Sequence, residues 1–249
     1  MRYLTEQEKK GRMIGTRAEN VANWYFRLNG FLSIPGFVVH PDYCREFPRT
    51  EADLIAVRFP FSTESIAERK MVDDTLVTRL YGNDGKQRML FILVEVKSGT
   101  CKMNGPWSNP RKENMHRVIR RLGFAEECEI DSIATAMYHK ARWDNDDYVL
   151  QYVCVGRVID ALLTVSHSEL VQITFEQMSA FFADRFKSYP EKLPTGGQVH
   201  EQWPDFGREF GSWFYKNISI PRVTSLPTIT AMSGAVVRMY IETGRLSNP

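Results

Sequence analysis

Apolar residues recur along this chain with two periods, near two and near 3.6, and each period marks out a set of elements. Residues 89–97 read MLFILVEVK, apolar on both faces until Glu95 and Lys97 close the run on one face. A run of that kind predicts a central, buried strand. Residues 148–155, YVLQYVCV, form a second such run, interrupted by Gln151. Residues 52–59 read as a strand stopped by Pro60, and residues 31–39 as an edge strand broken by Pro35 and Gly36. Residues 75–81 alternate and, with the turn signal Asn83-Asp84-Gly85, predict a hairpin over 75–97.

The helical period governs the rest. Residues 5–28 carry Val21, Trp24, Tyr25 and Leu28 on one stripe, with Thr16 and Glu19 spaced as a capping box and Asn29-Gly30 as a stop. Residues 111–122, 129–141 (opened by Asp131) and 174–189 are further helices, the last with Phe175, Met178, Phe181, Phe182 and Phe186 on one side. After Pro190 the texture becomes linker-like, and two helical segments follow at 203–215 and 228–241. This order predicts an α/β fold, a central mixed β-sheet flanked by helices, over 1–190, with a C-terminal helical extension over 191–249.

Composition narrows the class only a little. At 249 residues the chain can bury a sizeable core, and its formal charge of +2 announces no nucleic-acid partner by itself, so any basic site must be local. Four widely spaced cysteines, Cys44, Cys101, Cys128 and Cys154, form no CxxC pair and read as reduced packing residues. No signal-peptide core and no membrane-length apolar run appears, so the expected location is cytoplasmic, with no membrane partner. No glycine-rich phosphate loop of either common type is present, which argues against an NTPase or a dinucleotide enzyme.

Acid-x-Lys occurs four times, and only Glu95-Val96-Lys97 ends an apolar strand. Unpaired charges there would cost several kcal/mol. Asp53 lies near the start of the 52–59 strand. If the two strands pair antiparallel, Asp53 falls beside Glu95 and Lys97. Two carboxylates against one lysine call for a cation, and a hard divalent ion suits them: Asp53, Glu95 and the Val96 carbonyl are candidate ligands for Mg²⁺, or Mn²⁺ in its place. Lys97 would then serve an attacking water or the charge of the transition state. The same residues also admit a solvated salt bridge at a strand end.

Asp53 followed by Glu95-Val96-Lys97 at the end of the next core strand resembles the PD-(D/E)XK nuclease superfamily, although Ala52 stands where that family often has proline. The resemblance spans roughly residues 12–160 in element order and rests on three residues. It implies a restriction-endonuclease-like core and Mg²⁺-dependent hydrolysis of DNA phosphodiesters, in defence, restriction or repair. It also gives Glu19, on the first helix, the place of an extra metal-binding acid. Two alternatives stand beside it: a non-catalytic nucleic-acid-binding or interaction module, and an RNA-processing nuclease. Homodimerisation or recruitment by another protein is compatible with either.

Nucleic-acid contact is expected from Arg111, Lys112, Arg117, Arg120 and Arg121, which follow the motif strand with only Glu113 to balance them, and from Trp107 as a base-stacking aromatic. Gln151 reads either as a contact supporting the metal site or as a satisfied core amide.

Overall fold

The computed structural model describes residues 5–40, 50–66, 68–82, 84–189, 203, 205–217 and 226–246. The first helix, α1 (Glu6–Leu28), leads into β1 (Leu32–Val39) and β2 (Thr50–Arg58). A small hairpin, β3 (Ser65–Ile66) and β4 (Arg69–Lys70), and the short α2 (Thr75–Arg79) precede the motif strand β5 (Met89–Val96). The chain continues through α3 (Gly105–Ser108), a 3-10 turn at Pro110–Lys112, α4 (Asn114–Leu122) and α5 (Glu127–Lys140). Then come β6 (Arg142–Asp144), β7 (Tyr148–Gly156), α6 (Ala161–Ser166), β8 (Val171–Thr174) and α7 (Phe175–Ser188). Two C-terminal helices, α8 (Asp205–Asn217) and α9 (Leu226–Thr243), follow.

These elements make an α/β protein with a mixed sheet in the order β1-β2-β5-β7-β6, with β8 also on β7. The strand β5 runs antiparallel to β2 and parallel to β7. Its period of two sorts its side chains between two cores. Leu90, Ile92, Val94 and Val96 enter the core covered by α1, α7, α8 and α9; Phe91 and Leu93 enter the one covered by α3, α4 and α5. Both faces are therefore dry, which explains why the strand is apolar throughout.

The first helix begins at a capping box in which Thr5 and Glu8 exchange hydrogen bonds. Thr16, expected in that role, lies mid-helix with its hydroxyl donating back to the Arg12 carbonyl. Asn29-Gly30 does end the helix, Gly30 at φ +80°. The edge strand β1 keeps its Pro35-Gly36 interruption, Gly36 at φ +61°. Likewise α5 opens earlier than Asp131, at the Glu126–Glu129 capping box.

The expected strand at 75–81, and with it the 75–97 hairpin, is corrected to the helix α2. Asp74 caps it by accepting from the Leu76 N–H at 2.9 Å, and its other carboxylate oxygen takes the Tyr25 hydroxyl at 2.9 Å. Val77 and Leu80, three apart, are the residues that bury. A helical spacing was thus hidden inside an alternating pattern, and the local cap decided between them.

One cap and one close approach help fix the helical layer. Thr174 and Gln177 form the capping box of α7. Replacing Thr174 by alanine should cost about 1 kcal/mol of stability, read as a shift in the urea midpoint at unchanged slope. The two C-terminal helices share the α1/α7 core, where Phe206, Phe210 and Phe214 meet Phe182 and Phe186. A Cβ on Gly207 would lie 2.6 Å from the Trp24 ring, so only glycine lets α8 lie this close to α1.

Candidate active site

The register of β2 on β5 pairs Leu54 with Val94, so Asp53 and Glu95 stand opposite each other one step further on. They share a face with Phe91 and Leu93, at the C-terminal end of β5. Asp53 Oδ2 accepts the Val96 N–H at 2.6 Å, a bond that ties the acid of one strand to the backbone of the next. Lys97, two residues beyond Glu95 on the same face, pairs with Glu95 Oε1. The expected juxtaposition of Asp53, Glu95 and Lys97 is therefore present.

Burial sets the electrostatics. Glu95 is 1% exposed, while Asp53 and Lys97 are half-buried. Burial first, and then the charge of Asp53, raise the Glu95 carboxyl from an ordinary 4.5 to about 7, against the lowering effect of Lys97 and Asn104. Burial also raises Asp53, opposed by the Val96 N–H and by Lys97. Glu19 is raised by burial and by the fields of Asp53 and Glu51, and lowered by Lys97, which places it within electrostatic reach of the pair. Negative charge in this corner is under-compensated.

Two residues that sequence reasoning missed complete the surroundings of Glu95. Asn104, from the loop after β5, donates its side-chain amide to Glu95 Oε1. The buried Tyr152 hydroxyl lies 3.5 Å from Glu95 Oε2. Parallel pairing puts Tyr152 beside Leu93 and hence on the face of Glu95. That neighbourhood depends on a register which no local pattern specifies.

The donor set is hard and oxygen-based, which suits Mg²⁺ or Mn²⁺ rather than zinc. Among the described residues no three His, Cys, Asp or Glu side chains gather as a metal cage. A site of two carboxylates plus backbone, water and substrate oxygens is the habit of Mg²⁺, so the residues present fit that ion.

The remaining predicted residues divide. Arg111, Lys112 and Arg121 are exposed on the turn and helix that follow the site loop. Arg117 is half-buried and shares with Arg121 a groove against β1, beside Phe37 and His40. Arg120 is engaged by Glu127, with its Nε 3.0 Å from Oε1. His116, in the same helix, faces Asp131 at 3.4 Å. One expectation is corrected and one open reading is decided. Trp107 is fully buried in the α4/α5 core, so its indole cannot stack on a base. Gln151 is a satisfied core amide, its Nε2 donating to the carbonyls of Ala141 (3.0 Å), Tyr152 (2.9 Å) and Glu169 (2.9 Å) and its Oε1 accepting from Arg142 (3.1 Å). It sits opposite Ile92, short of the site end of the strand.

Cys101 and Cys154 are free and buried, Cys128 is free and exposed, and Cys44 lies outside the described residues. Among the described residues, no helix is long and apolar enough to cross a membrane. No protein-family model, curated protein or solved structure matches this chain.

Proposed function

We propose that the protein is a Mg²⁺-dependent nuclease of the PD-(D/E)XK type, hydrolysing phosphodiester bonds in DNA. The observation that carries this reading is the meeting of Asp53 and Glu95 across two antiparallel strands, with Lys97 on the same face. The element order supports it too: helix, three antiparallel strands, helices, then a strand parallel to the motif strand.

Asp53 and Glu95 would hold the metal, with the Val96 carbonyl as a further oxygen donor, while Glu19 would act only through its charge. When bound, Mg²⁺ supplies a Lewis acid and a charge that offsets the one growing on the phosphoryl group. The chain's own residues do the rest. Lys97 keeps its ammonium beside the carboxylate pair, where it stabilises the negative charge that develops as water attacks the phosphorus. The Val96 N–H fixes the rotamer of Asp53. The dry sheet behind Glu95 keeps the local dielectric low and strengthens each of these interactions.

Arg111 and Lys112, exposed on the turn after the site loop, and Arg121, on the β1 groove, would bind backbone phosphates. Arg121→Ala should weaken binding to every sequence alike and lower the log–log salt slope by about one. A slope equal to that of the wild type would remove Arg121 from the interface.

The decisive experiment is cleavage of supercoiled plasmid, linear duplex, single-stranded DNA and structured RNA, titrated with Mg²⁺ and Mn²⁺. DNA cleavage that needs the metal is the expected result. Cleavage of RNA alone would make this an RNA-processing enzyme. Nucleic-acid binding with no cleavage in either metal would make it a non-catalytic module.

A further inference from the structure

Asn104 occupies the N-cap position of α3 yet makes no capping hydrogen bond there. Asparagine is among the best capping residues because its side-chain oxygen accepts from the first turn of the helix. Here the side chain turns the other way, and its amide donates to Glu95 Oε1. The same oxygen takes Lys97. Pro106 at the second helical position has no N–H to be capped and the Trp107 N–H is taken by the Asn104 carbonyl, so the side chain is available to the buried carboxylate.

The mount of Asn104 is rigid. Cys101, Met103 and Trp107 around it are all buried in the α4/α5 core. The loop before it is stitched to the end of β7, with the Cys101 N–H on the Val158 carbonyl at 2.8 Å and the Lys97 N–H on the Val155 carbonyl at 2.9 Å. Trp107 N–H closes the turn on the Asn104 carbonyl at 2.9 Å. The amide is therefore delivered to Glu95 from a framework that cannot easily follow a moving side chain. Tyr152, rooted in β7, bounds the opposite oxygen.

We propose that Asn104 is a positioning residue, holding the Glu95 carboxylate in the orientation that receives a divalent cation. This deepens the nuclease reading and rests on it. Hydrogen-bond partners of metal-binding side chains orient them, and their loss typically costs about 10- to 100-fold in metal affinity. Asn104 would act at that level without touching substrate.

The test is direct Mn²⁺ binding, followed by electron paramagnetic resonance, to the full chain and to Asn104→Ala and Asn104→Ser, with nuclease kinetics at varied metal. Serine caps a helix as well as asparagine does but is too short to reach Glu95. Both variants should bind Mn²⁺ about 10- to 100-fold more weakly and need correspondingly more metal for half-maximal cleavage, with kcat at saturating metal largely kept. Wild-type affinity in Asn104→Ser would show that the contact with Glu95 is not needed and overturn the proposal. So would unchanged affinity in Asn104→Ala while the wild type binds Mn²⁺ and cleaves, a result that leaves the nuclease reading standing. A wild type that binds no Mn²⁺ would overturn both.

Discussion

Replacing Lys97 by alanine is expected to slow phosphodiester cleavage by roughly 10²- to 10⁴-fold while leaving nucleic-acid affinity and cooperative unfolding in place. The expectation follows from where the ammonium sits. Among the described residues it is the cation paired with Glu95, half-buried at the end of β5, while its partner is almost wholly buried. On the proposed reading its loss removes the positive charge that would face the reacting phosphate. It does not strand a charge in the core, because Glu95 still has Asn104 and the Tyr152 hydroxyl beside it and can take up a proton. Lys97→Met, which keeps the aliphatic stem, separates lost packing from lost charge and should behave like the alanine variant. Purified Lys97→Ala that cuts plasmid at the wild-type rate would remove Lys97 from the chemistry and the family reading with it.

The second large effect concerns stability and pH. In the folded metal-free protein Glu95 holds its proton to about pH 7, whereas the unfolded chain releases it near 4.5. Between those values the folded state binds the extra proton. The stability tied to it is complete below about 4.5 and drains away as pH rises through about 7. The difference corresponds to about 3 kcal/mol. Asp53 and Glu19, also raised, act with the same sign. Metal-free protein should therefore melt at a lower temperature near pH 8 than near pH 5, and Glu95→Gln should remove most of that fall. Saturating Mg²⁺ should stabilise the wild type more as pH rises, since the ion competes with the proton for the same oxygens. A wild-type slope that survives Glu95→Gln would locate the titrating group elsewhere.

Much of this architecture was legible because burial on both faces leaves a plain mark in sequence. The strands β5 and β7 are such cases, and the end of β5 singled out Glu95 and Lys97 among four similar tripeptides. Asp53 followed from antiparallel pairing alone. The illegible parts are those in which a distant partner overrides a local pattern. Residues 75–81 alternate like a strand, but Asp74, fixed by Tyr25 and Asn29, turns them into a helix. Trp107 lies next to a basic run and looked like a stacking platform, yet it anchors the loop from inside. Tyr152 and Asn104 gave no signal because their relation to Glu95 exists only once the parallel register and the loop path are set.

The contact of Arg17 with the carbonyls of Ile241 (3.5 Å) and Glu242 (3.1 Å) joins the helix that bears Glu19 to the far end of the last helix, across more than two hundred residues. Chain closures of that span are slow to form. In the same way the Trp24 face of α1 is closed by Gly207 and the helix around it. Asp53, Glu95 and Lys97 lie in sequence between those two partners, so the helical layer that carries Glu19 is closed by chain from both sides of them.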